Sequence, residues 1–326
     1  MEDSVIKNRV IGIDISVELT SYAIVDIRGH IIARDGFPTH DYANVNDYVS
    51  TLSERVVMLA EENGGFGTIR SIGISAPSGN YLTGSIENAP NLHWKGVIPL
   101  AAMLRDRLGI AVALGNDAHM TALGEHAFGC AHGMNNFIVI SLGHGLGSCI
   151  FSNGEVHLGC EGFAGEIGHS CQVYGGRTCG CGKKGCLEAY CAASGIVRTA
   201  QEMMAESDEP SLMRSIESLT PHRISECCDK GDLMAIEVFR HTGYMLGRAL
   251  AGYATIIDPE AIIFTGGISR AGKWLIEPTS EAFDSQVFHN IRGQVKFLFS
   301  ALEDHERDFL GASVLAWDIK EYSLFK

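Results

Sequence analysis

This sequence has little proline, no long apolar run and no excess of basic residues. Only 8 of its 326 residues are proline, and no stretch rich in proline and serine suggests a flexible tether between domains. Asp, Gly or Arg interrupts every apolar run, so none reaches the roughly 18 residues that a membrane-spanning helix needs. Lys and Arg number 25 against 39 Asp and Glu, which gives a formal charge of −14. This balance argues against sequence-independent nucleic-acid binding, because such binding needs clustered cations.

The amino-terminal segment lacks the pattern of an export signal. MEDSVIKNRVIGIDI contains no basic region followed by a long apolar core and a small-residue cleavage site. A disulfide framework is therefore not expected, although the chain has 10 cysteines. We expect a cytoplasmic protein with no membrane partner.

Glycine is abundant instead. The 38 glycines among 326 residues exceed the usual fraction of ~7% and indicate glycine-rich binding turns. The apolar fraction of 46% and the charged fraction of 20% are those of a globular protein. The length favours two domains with substantial cores.

The strand pattern indicates an internal duplication. Residues 10–15, residues 21–27 and the segment HIIAR predict a meander of three short strands. Residues 137–142, residues 148–151 and the segment EVHLG repeat that pattern, with Asn153-Gly154 at the second turn. Each half of the chain is therefore expected to open with a similar hairpin sheet.

Helices alternate with the remaining strands, which predicts an α/β protein whose mixed sheets are covered by helices. The strands are expected at 71–77, 110–114 and 261–267, and the helices at 45–63, 97–108, 118–128, 187–206, 211–218, 223–229, 232–256 and 307–318.

His169, Cys179, Cys181 and Cys186 form the strongest local pattern. Three thiolates and one imidazole complete a tetrahedral zinc shell, and the intervening glycines permit the tight turns that such close spacing needs. Cys171 is a competing fourth ligand. The alternative is a set of reduced thiols without a metal, and the remaining cysteines are expected to be small core residues.

Asn116 and Asp117 lie between a predicted strand and a predicted helix. One interpretation is an N-cap, since both side chains accept hydrogen bonds from the first amides of a helix. The other is a general base, because carboxyl ends of strands in α/β sheets face the ligand.

Two glycine turns are candidates for phosphate or nucleotide contacts. The first, here called the glycine turn (Gly143-His144-Gly145-Leu146-Gly147), lies between two strands and so does not fit a dinucleotide fingerprint. It is either a phosphate cradle of backbone amides or a plain hairpin. The second, Gly266-Gly267, follows the strand AIIFT, where adenosine could lie against bare backbone.

Taken together, these segments resemble the ROK family of sugar kinases, within the hexokinase and actin-like ATPase superfamily. GNDAHMTALGE (115–125) is similar to the catalytic segment of that family, EGFAGEIGH (161–169) to its sugar-binding segment, and CGCGKKGCLE (179–188) to its zinc segment. GISAPSGN, APNLHW, IIFTGGISRAG and FLGASVLA follow the same order, so the resemblance spans nearly the whole chain.

The resemblance implies a two-domain actin-like ATPase fold, a duplicated ribonuclease H-like arrangement with an interdomain cleft. We place a smaller α/β domain at 1–115 plus 305–326. A larger α/β domain, with the zinc site and the nucleotide contacts, is placed at 116–304.

The resemblance also implies the residue roles. Asp117 would be the catalytic base. The sugar would be bound by Asn116, Glu166, His169 and Glu188, and from the smaller domain by Gly79, Asn80 and Asn91. An isolated Glu is ordinarily a solvated surface charge. Glu166 and Glu188 are singled out because they lie in the segments that resemble the family's motifs. The nucleotide would contact Asp14, Gly143, His144, Gly145, Gly266 and Gly267.

The implied activity is transfer of the γ-phosphoryl group of Mg²⁺-ATP to a hexose, and we expect glucose, at its 6-hydroxyl. Zn²⁺, held by His169, Cys179, Cys181 and Cys186, would be structural. The chain would form a homodimer without a nucleic-acid partner, and its domains would close over the sugar.

One segment departs from the family. Its first phosphate loop usually reads Asp-x-Gly-Gly-Thr, whereas this chain has Asp14-Ile15-Ser16-Val17-Glu18, and His144 replaces a usual Thr. A branched Val17 and an anionic Glu18 are expected to hinder phosphates, unless Ser16, Thr20 or Ser21 supplies donors. A weak or inactive sugar-binding regulator is therefore the alternative function. A DNA-binding repressor is disfavoured, because the first predicted strand begins near Val10.

Overall fold

The computed structural model of the protein describes residues 6–89, 91–303 and 306–319. Residues 1–5, 90, 305 and 320–326 of the predicted smaller domain and residue 304 of the predicted larger one lie outside these ranges. The described chain divides into two compact units. The first comprises the residues up to Gly133, Leu158–Ala164 and the residues from Ala301 onward, and the second comprises Met134–His157 and Gly165–Ser300.

The first unit contains a five-stranded sheet, a three-stranded sheet and four helices within the described residues. The larger sheet is formed by β1 (Arg9–Ile15), β2 (Leu19–Asp26), β3 (Ile31–Pro38), β4 (Ile69–Ala76) and β8 (Ala111–Asn116). The smaller sheet is formed by β5 (Gly79–Asn80), β6 (Ser85–Glu87) and β7 (Val97–Ile98). The helices are α1 (Val45–Glu62), α2 (Leu100–Leu108), α3 (Asp117–Phe128) and α9 (Arg307–Asp318).

The second unit has one five-stranded sheet and a largely helical cover. The strands are β9 (Phe137–Leu142), β10 (Leu146–Ser152), β11 (Glu155–Val156), β12 (Ala261–Thr265) and β13 (Lys296–Phe299). The helices are α4 (Glu188–Cys191), α5 (Ala193–Glu206), α6 (Pro221–Asp229), α7 (Leu233–Ile257) and α8 (Lys273–Gln286). Ile140, Phe239 and Phe264 belong to its buried core.

The two large sheets have the same topology. Their strand orders are β3-β2-β1-β4-β8 and β11-β10-β9-β12-β13. In both, the first three strands in chain order pair antiparallel, and the last two are added parallel to the first. The repeat read from the strand pattern is therefore confirmed at the level of topology.

Helix α9 lies against the first sheet at a distance that only glycine permits. A Cβ built on Gly73 of β4 would lie 1.8 Å from the carbonyl oxygen of Ala312, and one on Gly12 of β1 would lie 2.0 Å from that of Phe309. Gly311 of α9 approaches α3 equally closely, since a Cβ there would lie 1.8 Å from the Met120 oxygen. These glycines serve packing rather than ligand binding.

The contact of α3 with α9 also moves the boundary of the first unit. The sequence places that boundary at 115/116, before α3, but the structure places it after Gly133. The reason is that α3 packs on α9 and so belongs to the unit that α9 completes.

Some elements differ from the sequence prediction. The helix expected at 187–206 is interrupted at Ala192, whose ψ of 171° is extended, and so forms α4 and α5. The helix expected at 211–218 is only a 3-10 turn, Leu212–Ser215. Strand β13 and the small sheet β5–β7 were not predicted, because their strands have four residues or fewer and carry little alternation.

The cysteines outside the proposed zinc shell are free thiols. Cys149, Cys191, Cys227 and Cys228 are buried, as expected of small core residues. Cys160 is exposed, and the core prediction is wrong there. Of the helices in the described residues, none is both long and apolar enough to cross a membrane.

Candidate active site and metal centre

The parallel strands of the first unit bring acidic residues to one edge of its sheet. Asp14 lies near the end of β1 and pairs in register with Ser75 of β4, while Ala76 pairs with Asn116 at the end of β8. Asp117 follows as the first residue of α3. The sheet therefore places Asp14 and Asp117 at the carboxyl ends of β1 and β8, the parallel strands on either side of β4, where α/β proteins bind ligands.

Asn116 is the N-cap of α3, so the capping interpretation is correct for this residue. Its backbone is extended, with φ −72° and ψ 150°, and its Oδ1 accepts a hydrogen bond of 2.8 Å from the Ala118 amide. The Oδ1 of Asp117 accepts from the same amide, also at 2.8 Å. Because Asp117 is exposed, this local bond orients its carboxylate without burying it.

Carboxylates crowd Asp14. Desolvation by the surrounding protein raises the pKa of Asp14 to about 8, and the charges of Asp308 and Asp117 add to the rise while Arg307 opposes it. Asp308 is fixed by α3, since its Oδ1 accepts a 3.1 Å hydrogen bond from the Thr121 hydroxyl. A divalent cation would relieve this repulsion, and carboxylate oxygens are ligands of the kind that Mg²⁺ takes, so Mg²⁺ at Asp14 stays a prediction.

The three residues predicted to bind the sugar from the smaller domain differ in accessibility. Gly79 is buried, and a Cβ there would lie 2.4 Å from the Gly115 oxygen. Asn80 is also buried: its Nδ2 donates to the Glu161 carbonyl at 2.9 Å and its Oδ1 accepts from the Leu82 amide at 2.9 Å. Asn91 is exposed. The Asn80 amide thus already organises the segment that leads toward Glu166.

The turn that replaces the usual phosphate loop is closed on itself. The Ser16 hydroxyl donates to the Leu19 carbonyl at 2.9 Å and accepts from the Leu19 amide at 3.1 Å. Thr20 is fully buried, and its hydroxyl lies 2.8 Å from that of Thr39 and 2.9 Å from that of Tyr48. Ser16 and Thr20 are therefore already engaged, which leaves Ser21 among the three donors considered.

The second unit brings the four predicted zinc ligands together. The ligand atoms of His169, Cys179, Cys181 and Cys186 all lie within 4.8 Å of one another. The Cys181 and Cys186 sulfurs are 3.7 Å apart, and Cys179 Sγ lies 3.6 Å from His169 Nδ1. Zn–S bonds of ~2.3 Å in a tetrahedron separate two sulfurs by about 3.8 Å, so these spacings fit zinc.

Cys171, the competing ligand, is not part of this group. Its backbone forms an isolated β-bridge with Cys186. The group of possible metal ligands consists of His169, Cys179, Cys181 and Cys186 and does not include Cys171. The fourth possible ligand is therefore His169, and the zinc site itself stays a prediction.

Glu166 and Glu188 lie beside this cluster. Glu188 Oε1 is 3.5 Å from Cys179 Sγ and 4.0 Å from His169 Nδ1. Glu166 is exposed, but partial desolvation and the charge of Glu188 raise the pKa of its carboxyl, whereas His169 opposes the rise. The three sugar ligands assigned to this unit therefore influence one another electrostatically.

The glycine turn and Gly266-Gly267 follow adjacent parallel strands of the second sheet. Thr265 of β12 pairs with Ser141 of β9, so both turns begin at the same edge. Gly266 has φ +85°, and a Cβ there would lie 2.4 Å from the Leu142 oxygen. Gly267 has open space around its Cα.

Two amides of the glycine turn have no hydrogen bond within the described part of the chain. The Gly143 amide donates to the Gly145 carbonyl at 3.0 Å, and the Leu146 amide donates to Glu188. The amides of His144 and Gly145, both exposed, remain for a ligand. The turn closes the β9–β10 hairpin, and its role as a phosphate cradle stays a prediction.

Two residues near Asp14 and Asp117 were not predicted from the sequence. Asp308 was not singled out, although an acidic residue in the first turn of the small-residue helix FLGASVLA marks it. His119, two residues after Asp117, is 5% exposed, and burial lowers its pKa to about 4 while the Ala164 carbonyl opposes the shift. A histidine within a buried helix face was the only available signal.

A family model and several known proteins match nearly the whole chain. The sequence model of the ROK family covers residues 10–319. A glucokinase of Halalkalibacterium halodurans is 32% identical over 301 residues, which are 90% of this chain and 90% of that protein. A xylose repressor of Caldicellulosiruptor bescii is 26% identical over 307 residues, covering 90% of this chain and 75% of that protein.

The fold of this chain is also similar to that of a solved structure from the same family. The ROK family glucokinase from Streptomyces griseus, in complex with glucose and AMPPNP, gives a TM-score of 0.76 at 29% identity, covering 95% of this chain and 99% of that one. This likeness confirms the predicted α/β fold of the actin-like ATPase class.

Proposed function

This chain belongs to the ROK family, and from that premise we propose that it phosphorylates a hexose with ATP, glucose at the 6-hydroxyl being the expected substrate. The observation that carries the proposal is the exposed Asp117 carboxylate, oriented by the first turn of α3 at the carboxyl end of a parallel strand. The likeness to glucokinases supports the same activity.

Asp117 acts as the general base in this proposal. Its carboxylate takes the proton of the sugar hydroxyl while that oxygen bonds to the γ-phosphorus, and the bond from phosphorus to the leaving oxygen of ADP breaks. Phosphoryl transfer depends on positioning and charge stabilisation more than on covalent help. A base fixed by a backbone hydrogen bond meets that requirement.

The second unit supplies sugar ligands in this proposal. Glu166, Glu188 and His169 accept or donate hydrogen bonds to hydroxyls, and carboxylates do so more strongly than neutral acceptors. Zinc, held by the four clustered ligands, fixes the loop of His169 and the start of α4 and takes no part in the chemistry. Asn116, Gly79, Asn80 and Asn91 stay predicted sugar contacts.

Asp14 would hold Mg²⁺, which supplies charge neutralisation for the transferred phosphoryl group when bound. The glycine turn, through the amides of His144 and Gly145, would accept phosphate oxygens. Gly266-Gly267 would lie beside the adenosine, and the open space at Gly267 is compatible with that approach.

A second function, sugar binding without phosphoryl transfer, is favoured by one specific feature. The turn from Ser16 to Leu19 closes on itself, and the Glu18 side chain there is 84% exposed. An anionic side chain beside phosphates would weaken nucleotide binding. The likeness to a xylose repressor is consistent with such a role.

A panel of hexoses with Mg²⁺-ATP separates these two functions. The kinase releases ADP only with its sugar, and Asp117→Asn abolishes that release. Sugar-dependent thermal stabilisation without ADP release with any sugar would favour the second function. Glucose, mannose, fructose and N-acetylated hexosamines form the panel, because small differences in pocket shape discriminate among such sugars.

The proposed assembly is a cytoplasmic homodimer without a nucleic-acid partner, as the resemblance implies. The net charge of −14 supports the last point. Light scattering at several concentrations would test the dimer, which requires twice the mass of one chain.

A further inference from the structure

Glu188 connects two structures that the proposed function treats separately. Its Oε2 accepts a 3.0 Å hydrogen bond from the Leu146 amide of the glycine turn. Its Oε1 faces the zinc ligands, 3.5 Å from Cys179 Sγ and 4.0 Å from His169 Nδ1. One carboxylate therefore lies between the metal cluster and the turn.

The glycine turn is built for this approach. A Cβ at position 145 would lie 2.9 Å from Glu188 Oε2, so a side chain there would crowd the carboxylate. The turn is held on its other side by α5, because the Ala193 amide donates to the Gly143 carbonyl at 3.0 Å. Both holding groups come from the segment that follows the last zinc ligand, Cys186.

A third close approach joins the loop of the predicted zinc ligand His169 to the same turn. A Cβ at Gly168, next to His169, would lie 2.4 Å from the Leu146 carbonyl oxygen. The backbone on both sides of Leu146 is thus in contact with groups adjacent to zinc ligands. Displacement of either group would change the direction of the two unbonded amides at His144 and Gly145.

We propose that Glu188 is a positioning residue for the glycine turn, and that the metal cluster, by fixing the backbone that runs from Cys186 to Glu188 at the start of α4, sets the geometry with which this turn meets a nucleotide's phosphates. The inference rests on the proposed function for the identity of that ligand. Glu188 would then serve nucleotide binding before any sugar is bound. A bond from a carboxylate to a backbone amide is charge-assisted, which makes it strong enough to order a short turn.

Hydrogen–deuterium exchange over residues 142–147 tests the positioning directly, without nucleotide or sugar. In Glu188→Ala, and in the zinc-stripped wild type, this peptide is expected to exchange about tenfold faster, as loss of ~1.4 kcal/mol of protection predicts. Glu188→Gln keeps an acceptor oxygen and is expected to restore most of the protection. Glu206→Gln is the matched control, since it removes an exposed carboxylate at the end of α5 but leaves the Leu146 contact in place.

Equal exchange in Glu188→Ala and wild type would overturn the proposal, and so would equal acceleration in Glu206→Gln. If Glu188→Ala does not fold, the zinc-stripped wild type and Glu188→Gln still test the same link. Calorimetry with Mg²⁺-AMPPNP alone is the second measurement: Glu188→Ala is expected to bind about tenfold more weakly, and Glu206→Gln is expected to bind as wild type does. Weakening of both alike would contradict the link.

The two proposals can fail separately. A wild type that binds no Mg²⁺-AMPPNP would refute the kinase function, whereas the exchange result would still decide the positioning. A kinase whose turn is indifferent to Glu188 and to zinc would keep the function and lose this inference.

Discussion

Asp117 and Asn116 share the first turn of α3, yet they are suited to different tasks. Asn116 caps the helix, and Asp117 is exposed while its Oδ1 binds the Ala118 amide. The sequence left a cap and a base as alternatives for the pair, because both residue types do both things. The structure assigns the cap to Asn116, and the base stays a prediction for Asp117.

At the residue scale, His119 makes a pH prediction. Its pKa is lowered from 6.5 to about 4 by burial, so between these values the unfolded chain binds a proton that the folded chain does not. The contribution of His119 to stability should therefore fall as the pH is lowered through this window, by about 2 kcal/mol from pH 7.5 to pH 5. Urea unfolding at both pH values measures it.

His119→Gln should lose less stability over the same pH change, whatever its stability at pH 7.5. His93→Gln, which alters an exposed histidine, is the control and should behave like wild type. Parallel pH profiles for all three proteins would contradict the assignment to His119.

Glu18 supplies a second prediction at this scale. If its turn lies beside the phosphates, as the resemblance implies, Glu18→Thr should raise kcat/KM for Mg²⁺-ATP about fivefold, because ~1 kcal/mol of repulsion is removed. Glu18→Asp keeps the charge and should stay near wild type. An unchanged kcat/KM in Glu18→Thr would show that the turn is remote from the nucleotide.

At the element scale, α9 depends on bare backbone in the sheet beneath it. Gly73→Ala should lower the free energy of unfolding by about 2–3 kcal/mol, since its Cβ cannot fit against α9 without a backbone shift. Gly252→Ala, in α7 with no atom near its Cβ, should be neutral or slightly stabilising. Equal effects in denaturant unfolding would contradict the packing account.

The zinc-ligand segment is the other element with a direct test. Metal analysis should find about one equivalent of zinc in the wild type and much less in Cys181→Ser, whose thermal midpoint should fall by several degrees. Cys160→Ser, which alters an exposed cysteine outside the cluster, should retain both. Less than about half an equivalent in wild type, with all four ligands intact, would refute the site.

How well elements could be predicted depended on their length and contacts. The long strands and helices followed from periodicity, and α4 and α5 were read as one helix because their sequence keeps helical spacing across Ala192. The Glu188 contact with Leu146 joins residues 42 positions apart. No local pattern encodes such a contact, so it required the structure.

At the scale of the whole molecule, two sheets share one strand order. That repeat was visible in the sequence, because the hairpins opening each half have similar lengths and turns. The unit boundary was not, since it depends on α9, at the other end of the chain, packing on α3. Family motifs supplied the site residues, whereas Asp308 belongs to none of the quoted motif roles and emerged only from its neighbours.

The central claim concerns proton acceptance by Asp117 during phosphoryl transfer to a hexose. The most direct test compares wild type with Asp117→Asn, measuring hexose-dependent ADP release and, separately, hexose affinity by calorimetry. The account predicts that Asp117→Asn lowers kcat by about 10²-fold or more while the hexose Kd changes less than about threefold. Full activity in Asp117→Asn, or no hexose-dependent ADP release from wild type, would contradict it.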